Sequence, residues 1–251
     1  MRNMRAFGIM ILVYFSLGAG VSRASGIVLV FQDYENGGSG TTISTTPLIT
    51  TGATLIVVGC AGVGAVSSIT NSGTADSWTL LTAYGVSGSG ANYAQLGYAY
   101  SPTTSSSGQT FTCTWSTSQD DSSMMALGFS GTMTTSAVLD ASTGSSDSTS
   151  TSIFTGTITP SVTGEEIVAL TSNGLDTTFA CNNVTFSQSW NEIVDCGDYE
   201  NNTAVLWLLD PTTSAFNDTL DWVSSSGTNT SVAMAAFKPS GGKRRVLGNQ
   251  Q

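Results

Sequence analysis

Histidine is absent from the chain, and residues 25–237 contain no lysine or arginine either. Without histidine, no Ser-His-Asp or Cys-His catalytic system can be assembled. Without lysine or arginine, residues 25–237 offer no lysine base, no Lys–Asn side-chain cross-link, no clamp for phosphoryl transfer and no ion pair. All 17 acidic residues fall in this span, so its carboxylates must meet water, hydrogen-bond donors or a bound cation. Nucleic acid and anionic membrane surfaces are excluded as partners, because both need a basic face. A strongly acidic surface keeps an exported protein soluble.

Long apolar runs are absent after the first 24 residues. Those residues carry Arg2 and Arg5, an apolar stretch from Ala6 to Gly20, and Ser22 and Ala24 as small residues. This is the pattern of a secretory signal cleaved after Ala24; the apolar stretch is shorter than the ~20 residues that span a bilayer. Removal of residues 1–24 leaves four cations against 17 carboxylates, a net charge of −13. A secreted, extracellular or cell-surface protein is expected, with no membrane insertion.

Only four cysteines occur: Cys60, Cys113, Cys181 and Cys196. An even count in an exported chain predicts two disulfides. Lack of histidine and of C-x-x-C spacing argues against zinc. The pairing Cys60–Cys113 and Cys181–Cys196 keeps each bond within one half of the chain.

The residues present are those of β-strands. Clusters such as Thr54 to Val58, Tyr93 to Tyr100 and Thr110 to Trp115 are short, β-branched or aromatic, and bounded by Gly, Asn, Asp and Ser. Asn36-Gly37 and Asn173-Gly174 are turn dipeptides. Beyond the signal segment no window holds a helical period, so the fold is expected to be all-β.

The second half restates the first. Thr51 to Val58 matches Thr163 to Leu170, and Ser77-Trp78 matches Ser189-Trp190, both at an offset of 112. Tyr98 to Thr104 matches Trp207 to Thr213, Thr112 to Trp115 matches Thr219 to Trp222, and Ser123 to Phe129 matches Ser231 to Phe237. The expected architecture is a jelly-roll-like antiparallel β-sandwich over residues 25–240, built from repeats at 25–131 and 132–240. A basic tail at 241–251 follows. Two tandem small β-sandwiches are the alternative.

The succession of a Gly-led apolar strand, Ser-Trp, an aromatic strand ending in Pro-Thr-Thr and a closing Phe resembles uncharacterised β-sandwich proteins of bacterial secretion and of phage virions. The resemblance covers most of residues 27–238. It implies a surface or binding role and carries over no site residues.

Candidate sites are sparse. Gly59 to Gly64 lacks the third glycine and the helix of a dinucleotide fingerprint, and reads as a turn or bulge. Glycoside hydrolysis needs two placed carboxylates, for which Asp33, Glu35, Asp76, Glu165, Glu166, Glu192 and Asp210 are available; Glu165 and Glu166 follow a turn and are expected in solvent. Calcium needs only oxygen ligands, and Asp33 with Glu35, and Asp195 with Asp198 and Glu200, are its candidate clusters. Aromatic rings stack on sugars. Because the repeat pairs Trp78 with Trp190 and Trp115 with Trp222, those rings read as core, leaving Tyr84, Tyr93 and Tyr199 as ligand candidates. Asn183, Asn201, Asn217 and Asn229 each begin an N-x-S/T sequence.

Together these features predict a secreted, non-catalytic surface protein binding a glycan or cell-surface polymer. The alternatives are a self-associating structural protein of a coat, appendage or virion, and a glycoside hydrolase. No cofactor is required, and calcium is the one candidate ion. Trypsin added to the denatured mature chain should remove only the tail and leave residues 25–237 uncut; cleavage inside that span would contradict the charge distribution.

Overall fold

The computed structural model describes residues 26–37, 39–87, 92–119, 122–149, 152–173, 184–186, 190–195, 202–210, 214–222 and 229–241; at 184–186, 192–195, 202–210 and 220–222 it describes the backbone alone. Residues 1–24, read as a signal in the sequence, Cys181, Cys196 and residues 242–251 lie outside the described residues.

The first half forms β1 (Val28–Gly37), β2 (Gly40–Ser44), β3 (Leu55–Gly62), β4 (Val66–Asn71), β5 (Thr79–Leu80), β6 (Tyr84–Val86), β7 (Asn92–Tyr100), β8 (Phe111–Gln119) and β9 (Ser122–Ser130). After a 3-10 turn at Ser136–Val138 come β10 (Leu139–Asp147), β11 (Ser152–Phe154), β12 (Glu165–Asn173), β13 (Val184–Phe186), β14 (Asn191–Asp195), β15 (Asn202–Asp210), β16 (Thr219–Trp222) and β17 (Thr230–Phe237). The fold is all-β, every pairing is antiparallel, and no helix among the described residues is long and apolar enough to cross a membrane.

The strands form four sheets. The first half contributes a large sheet ordered β1-β9-β3-β7-β5, with β6 also on β7, and a small sheet ordered β2-β8-β4. The second contributes β10-β17-β12-β15-β14 and β11-β16-β13. The two sets of orders coincide strand for strand. The edge strands β1 and β10 also slip register at the same place, between Leu29 and Phe31 and between Leu139 and Ala141. Thr45 Oγ1 accepts from Phe111 N at 3.0 Å, and Thr155 Oγ1 accepts from Asp218 N at 3.0 Å. The four separate strand orders leave the jelly-roll detail without support.

Alternation along the strands explains how the sheets stack. On β3, Leu55 and Val57 enter one core while Ile56, Val58 and Cys60 enter another. On β12, Val168 and Leu170 join Leu55, Val57, Leu127 and Phe129 in that first core, while Ile167 and Ala169 face the opposite way. The two large sheets therefore meet face to face, and each carries its small sheet on its outer face. Both faces of β3 and β12 are covered, so every residue of both strands is buried. Gly59 permits the close approach, since a Cβ there would lie 2.7 Å from Met125 Cε and 3.0 Å from Leu170 Cδ2. At one end of this seam Ser172 Oγ donates to Asn92 Oδ1 at 2.7 Å, and Asn92 Nδ2 donates to the Asn229 carbonyl at 3.1 Å.

Register corrects the sequence match. Leu55 lies opposite Phe129 and Tyr100, whereas Glu166 lies opposite Phe237 and Leu209. Leu55 thus corresponds to Glu166, not to Ile167, because the turn after Gly164 is one residue shorter than the turn after Gly52. A one-residue slip exchanges the two faces of a strand, so an alignment by composition misassigns every side chain on β12.

Cys60 on β3 and Cys113 on β8 form the expected disulfide, with Cα atoms 6.3 Å apart across the first half's outer core. It closes a loop of 53 residues. Replacing both cysteines by Ala should lower unfolding free energy by about 4 kcal/mol on the chain-entropy argument, read from urea denaturation of the variant against the oxidised protein.

Candidate functional site

The outer face of β2-β8-β4 is built by simple alternation. Ile43, Cys113 and Ile69 point into the core in one cross-strand row. The flanking rows, Thr42–Thr114–Ser68 and Ser44–Thr112–Thr70, therefore point outward, and all six side chains are exposed or half-buried. The result is two rows of three hydroxyls, separated by about 4.8 Å between strands and about 7 Å along them. Ser44 and Thr112 share a hydrogen bond of 2.7 Å. No Asp, Glu, Lys or Arg occurs in β2, β4 or β8. Such a face can both donate and accept, and a hydroxyl is cheaper to desolvate than a carboxylate. The disulfide lies directly behind it.

The tyrosine candidates do not converge. Tyr84 pairs with Ala94 and Gly85 with Tyr93, which puts the two tyrosine rings on opposite faces of the sheet. Tyr84 packs on the central core and against Gly144, and half-buried Tyr93 covers Gly85. Tyr199 lies outside the described residues. Trp78 and Trp190 are T-shaped neighbours of Phe111 and Phe216, and their indole N–H groups donate to Asn71 and Asp218. Trp115 is buried and donates to the Gly64 carbonyl.

Among the calcium candidates, Asp33 and Glu35 are brought together on one face of β1. Both accept from Thr46 N, at 3.2 and 3.3 Å, and Asp33 also accepts from Thr46 Oγ1 at 3.0 Å. Asp195 is described for its backbone alone, and Asp198 and Glu200 lie outside the described residues. Among the described residues, no three His, Cys, Asp or Glu side chains are grouped as a metal site.

One expectation about charge is corrected. Glu165 and Glu166 are not in solvent: their exposures are 0% and 1%, because the central strand β12 begins at Glu165 with β15 and β17 on either side. Lys238 is docked beside the same strands. Its N–H donates to the Val138 carbonyl at 2.8 Å, and its Nζ lies 2.7 Å from Asp140 Oδ1. Lys238 follows β17 directly, Asp140 is the bulged residue of β10, and these strands are neighbours. The sequence signal, the first cation after residue 24 and one residue beyond a buried strand, was present but had no visible partner.

Ser161 completes this cluster. Its hydroxyl donates to Asp140 Oδ1 at 2.6 Å, and its N–H reaches Asp140 Oδ2 at 2.7 Å and Glu165 Oε1 at 3.0 Å. Asp140 and Glu165 are bridged by Ser161, whose hydroxyl also lies 3.4 Å from Glu165 Oε1. Burial pulls Asp140 upward, but the Lys238 ammonium and the Ser161 donors outweigh it and hold this group at about 2. Burial pushes Glu165 up; N–H groups of Val162 and Ser161 oppose the shift and the Asp140 charge adds to it. Glu165 Oε2 and Glu166 Oε1 are buried with no hydrogen-bond partner among the described residues. Burial raises Glu166 to about 8.

Comparison of the chain with protein-family models, curated proteins and solved structures finds no match.

Glu166 makes stability depend on pH. Its folded value of about 8 stands above the ordinary 4.5. Between those values the folded chain holds a proton that the unfolded chain has released, so stability falls as pH rises through this window. The full cost, on the order of 4 kcal/mol, is reached above the folded value. Glu166→Leu, which restores the residue found at the equivalent Leu55, should stabilise the protein strongly at about pH 9 and much less at about pH 5; urea unfolding at the two conditions reads the difference.

Proposed function

We propose that the protein is an exported, non-catalytic recognition protein that adheres to a hydroxyl-rich polymer, with carbohydrate as the ligand class. The observation that carries this reading is the charge-free face of Thr42, Ser44, Ser68, Thr70, Thr112 and Thr114 on a sheet stapled by Cys60–Cys113. A repeating polymer presents hydroxyls at regular intervals, and a flat, regular array of donors and acceptors meets several at once. Each hydrogen bond contributes only about 0.5–1.5 kcal/mol, so affinity comes from engaging several rows together. The disulfide supports export, because the cytosol keeps thiols reduced. Calcium and the tyrosine candidates stay within this proposal as auxiliaries, since Asp33 and Glu35 lie on β1 beside the small sheet.

Self-assembly by strand addition needs open, regular edges; the edge strands β1, β10, β2 and β4 carry register irregularities, whereas β5, β11, β13 and β14 pair regularly, so this stays the second reading. A glycosidase needs two carboxylates facing a substrate. Among the described side chains, Asp33 and Glu35 accept from Thr46, Asp76 Oδ1 accepts from Thr103 N at 2.7 Å, and Glu165 and Glu166 are buried; Glu192 and Asp210 are described for their backbone alone.

The test is a glycan array and an insoluble-polysaccharide pull-down with the mature chain, run with calcium and with chelator. Specific binding is expected, and Thr42→Glu combined with Thr114→Glu should weaken it at least about tenfold by placing carboxylates on the contact face. A blank result on a folded, monodisperse sample would overturn the reading.

A further inference from the structure

We propose that Lys238 and Asp140 close a side-chain amide bond between the last and first strands of the second half, with Glu165 as the proton relay. The three residues stand on adjacent strands in the order β10-β17-β12. Lys238 Nζ is 2.7 Å from Asp140 Oδ1, and Glu165 Oε1 accepts from the same Ser161 N–H and hydroxyl that donate to Asp140. The side chains of Lys238 and Asp140 are 26% and 8% exposed, and Glu165 is fully buried. Asp140 and Lys238 thus stand half-buried, with exposed Ser161 on one side and buried Glu165 on the other.

The chemistry balances without an oxidant or any other reactant. Proton transfer within the ion pair gives a neutral amine and a carboxylic acid. The amine nitrogen attacks Asp140 Cγ and the N–Cγ bond forms. Ser161 N–H and hydroxyl, at 2.7 and 2.6 Å from the two carboxyl oxygens, are placed to hold the negative charge that develops there. Glu165, a buried carboxyl beside the same Ser161 donors, donates to the departing oxygen and takes the amine proton. The Cγ–O bond breaks and one water leaves.

The comparison between halves supports a built site. In the first half the equivalent positions are Val30, Thr54 and Ser130, so all three reactive groups are replaced together. Conversely, Cys60 corresponds to Thr171 in the second half. The first half thus carries a disulfide between β3 and β8, and the amide would secure β10 to β17 in the second. The amide would bracket residues 140–238, so a pull on the two ends of the second half would load the bond before it could separate β10 from β17. The inference stands whether or not the protein binds a glycan.

The deciding measurement is the intact mass of the full mature chain, reduced and denatured. A mass one water below that of the sequence, with a branched peptic peptide joining residues 140 and 238 in tandem mass spectrometry, is the expected result. A mass equal to the sequence would overturn the proposal. Lys238→Arg and Asp140→Ala should each restore the missing water, and Glu165→Ala should leave both partners unreacted. Water loss that persists in Lys238→Arg would come from aspartate cyclisation and also overturns it. If the variants fail to fold, the branched peptide of the natural chain decides alone.

Discussion

The apolar seam between the two large sheets is the constraint on which the rest of the molecule depends. Leu55, Val57, Leu127 and Phe129 meet Val168, Leu170, Ala235 and Phe237 there, all at or near complete burial. Each large residue so enclosed is worth about 1.5–3 kcal/mol, and neither half could expose that surface alone without a large apolar patch. Gly59 and small residues such as Ala94, Ala233 and Ala235 let the sheets close. Once they close, β3 and β12 lose both faces to the interior, and the small sheets become the outer layers available to a partner.

That stacking also decides where polar groups are tolerated. Hydroxyls on β2, β4 and β8 face water because the opposite sides of the same strands fill the outer core with Ile43, Ile69, Phe111 and Cys113. Glu166 takes the place of an apolar residue at the rim of the seam, and its carboxyl is held protonated by burial. Asp140, Lys238, Ser161 and Glu165 gather at the same end of the second half, where the β10 bulge inserts Asp140 opposite the end of β17. The two halves share a scaffold and differ in what secures it, which directs chemistry to one half and a smooth hydroxyl surface to the other.

Much of the architecture was legible in the chain. Short β-branched clusters bounded by Gly and Asn could only be strands, and the Cys60–Cys113 pairing followed from confining each bond to one half. Reading Trp78, Trp115 and Trp190 as core followed from their recurrence, and the structure packs all three against neighbours. Register was not legible. Thr-Gly at residues 51–52 and 163–164 invites an offset of 112, yet the strands after them differ by 111, and that single residue moves Glu166 from an expected solvent position to the seam. Tyr84, a ligand candidate because it has no clear counterpart, packs half-buried between the halves against Gly144, a contact no local pattern records.

The sequence by itself determined the all-β class, the absence of histidine and basic chemistry from most of the chain, the doubled pattern and one disulfide. These depend on composition and local period, which a chain carries without its fold. Tertiary structure alone decided which face of each strand is buried, that Lys238 is docked beside Asp140, and that six Ser and Thr side chains from three separate segments form one surface. Those facts depend on contacts between residues about 70 to 100 positions apart, set by sheet order and register, and no local pattern records them.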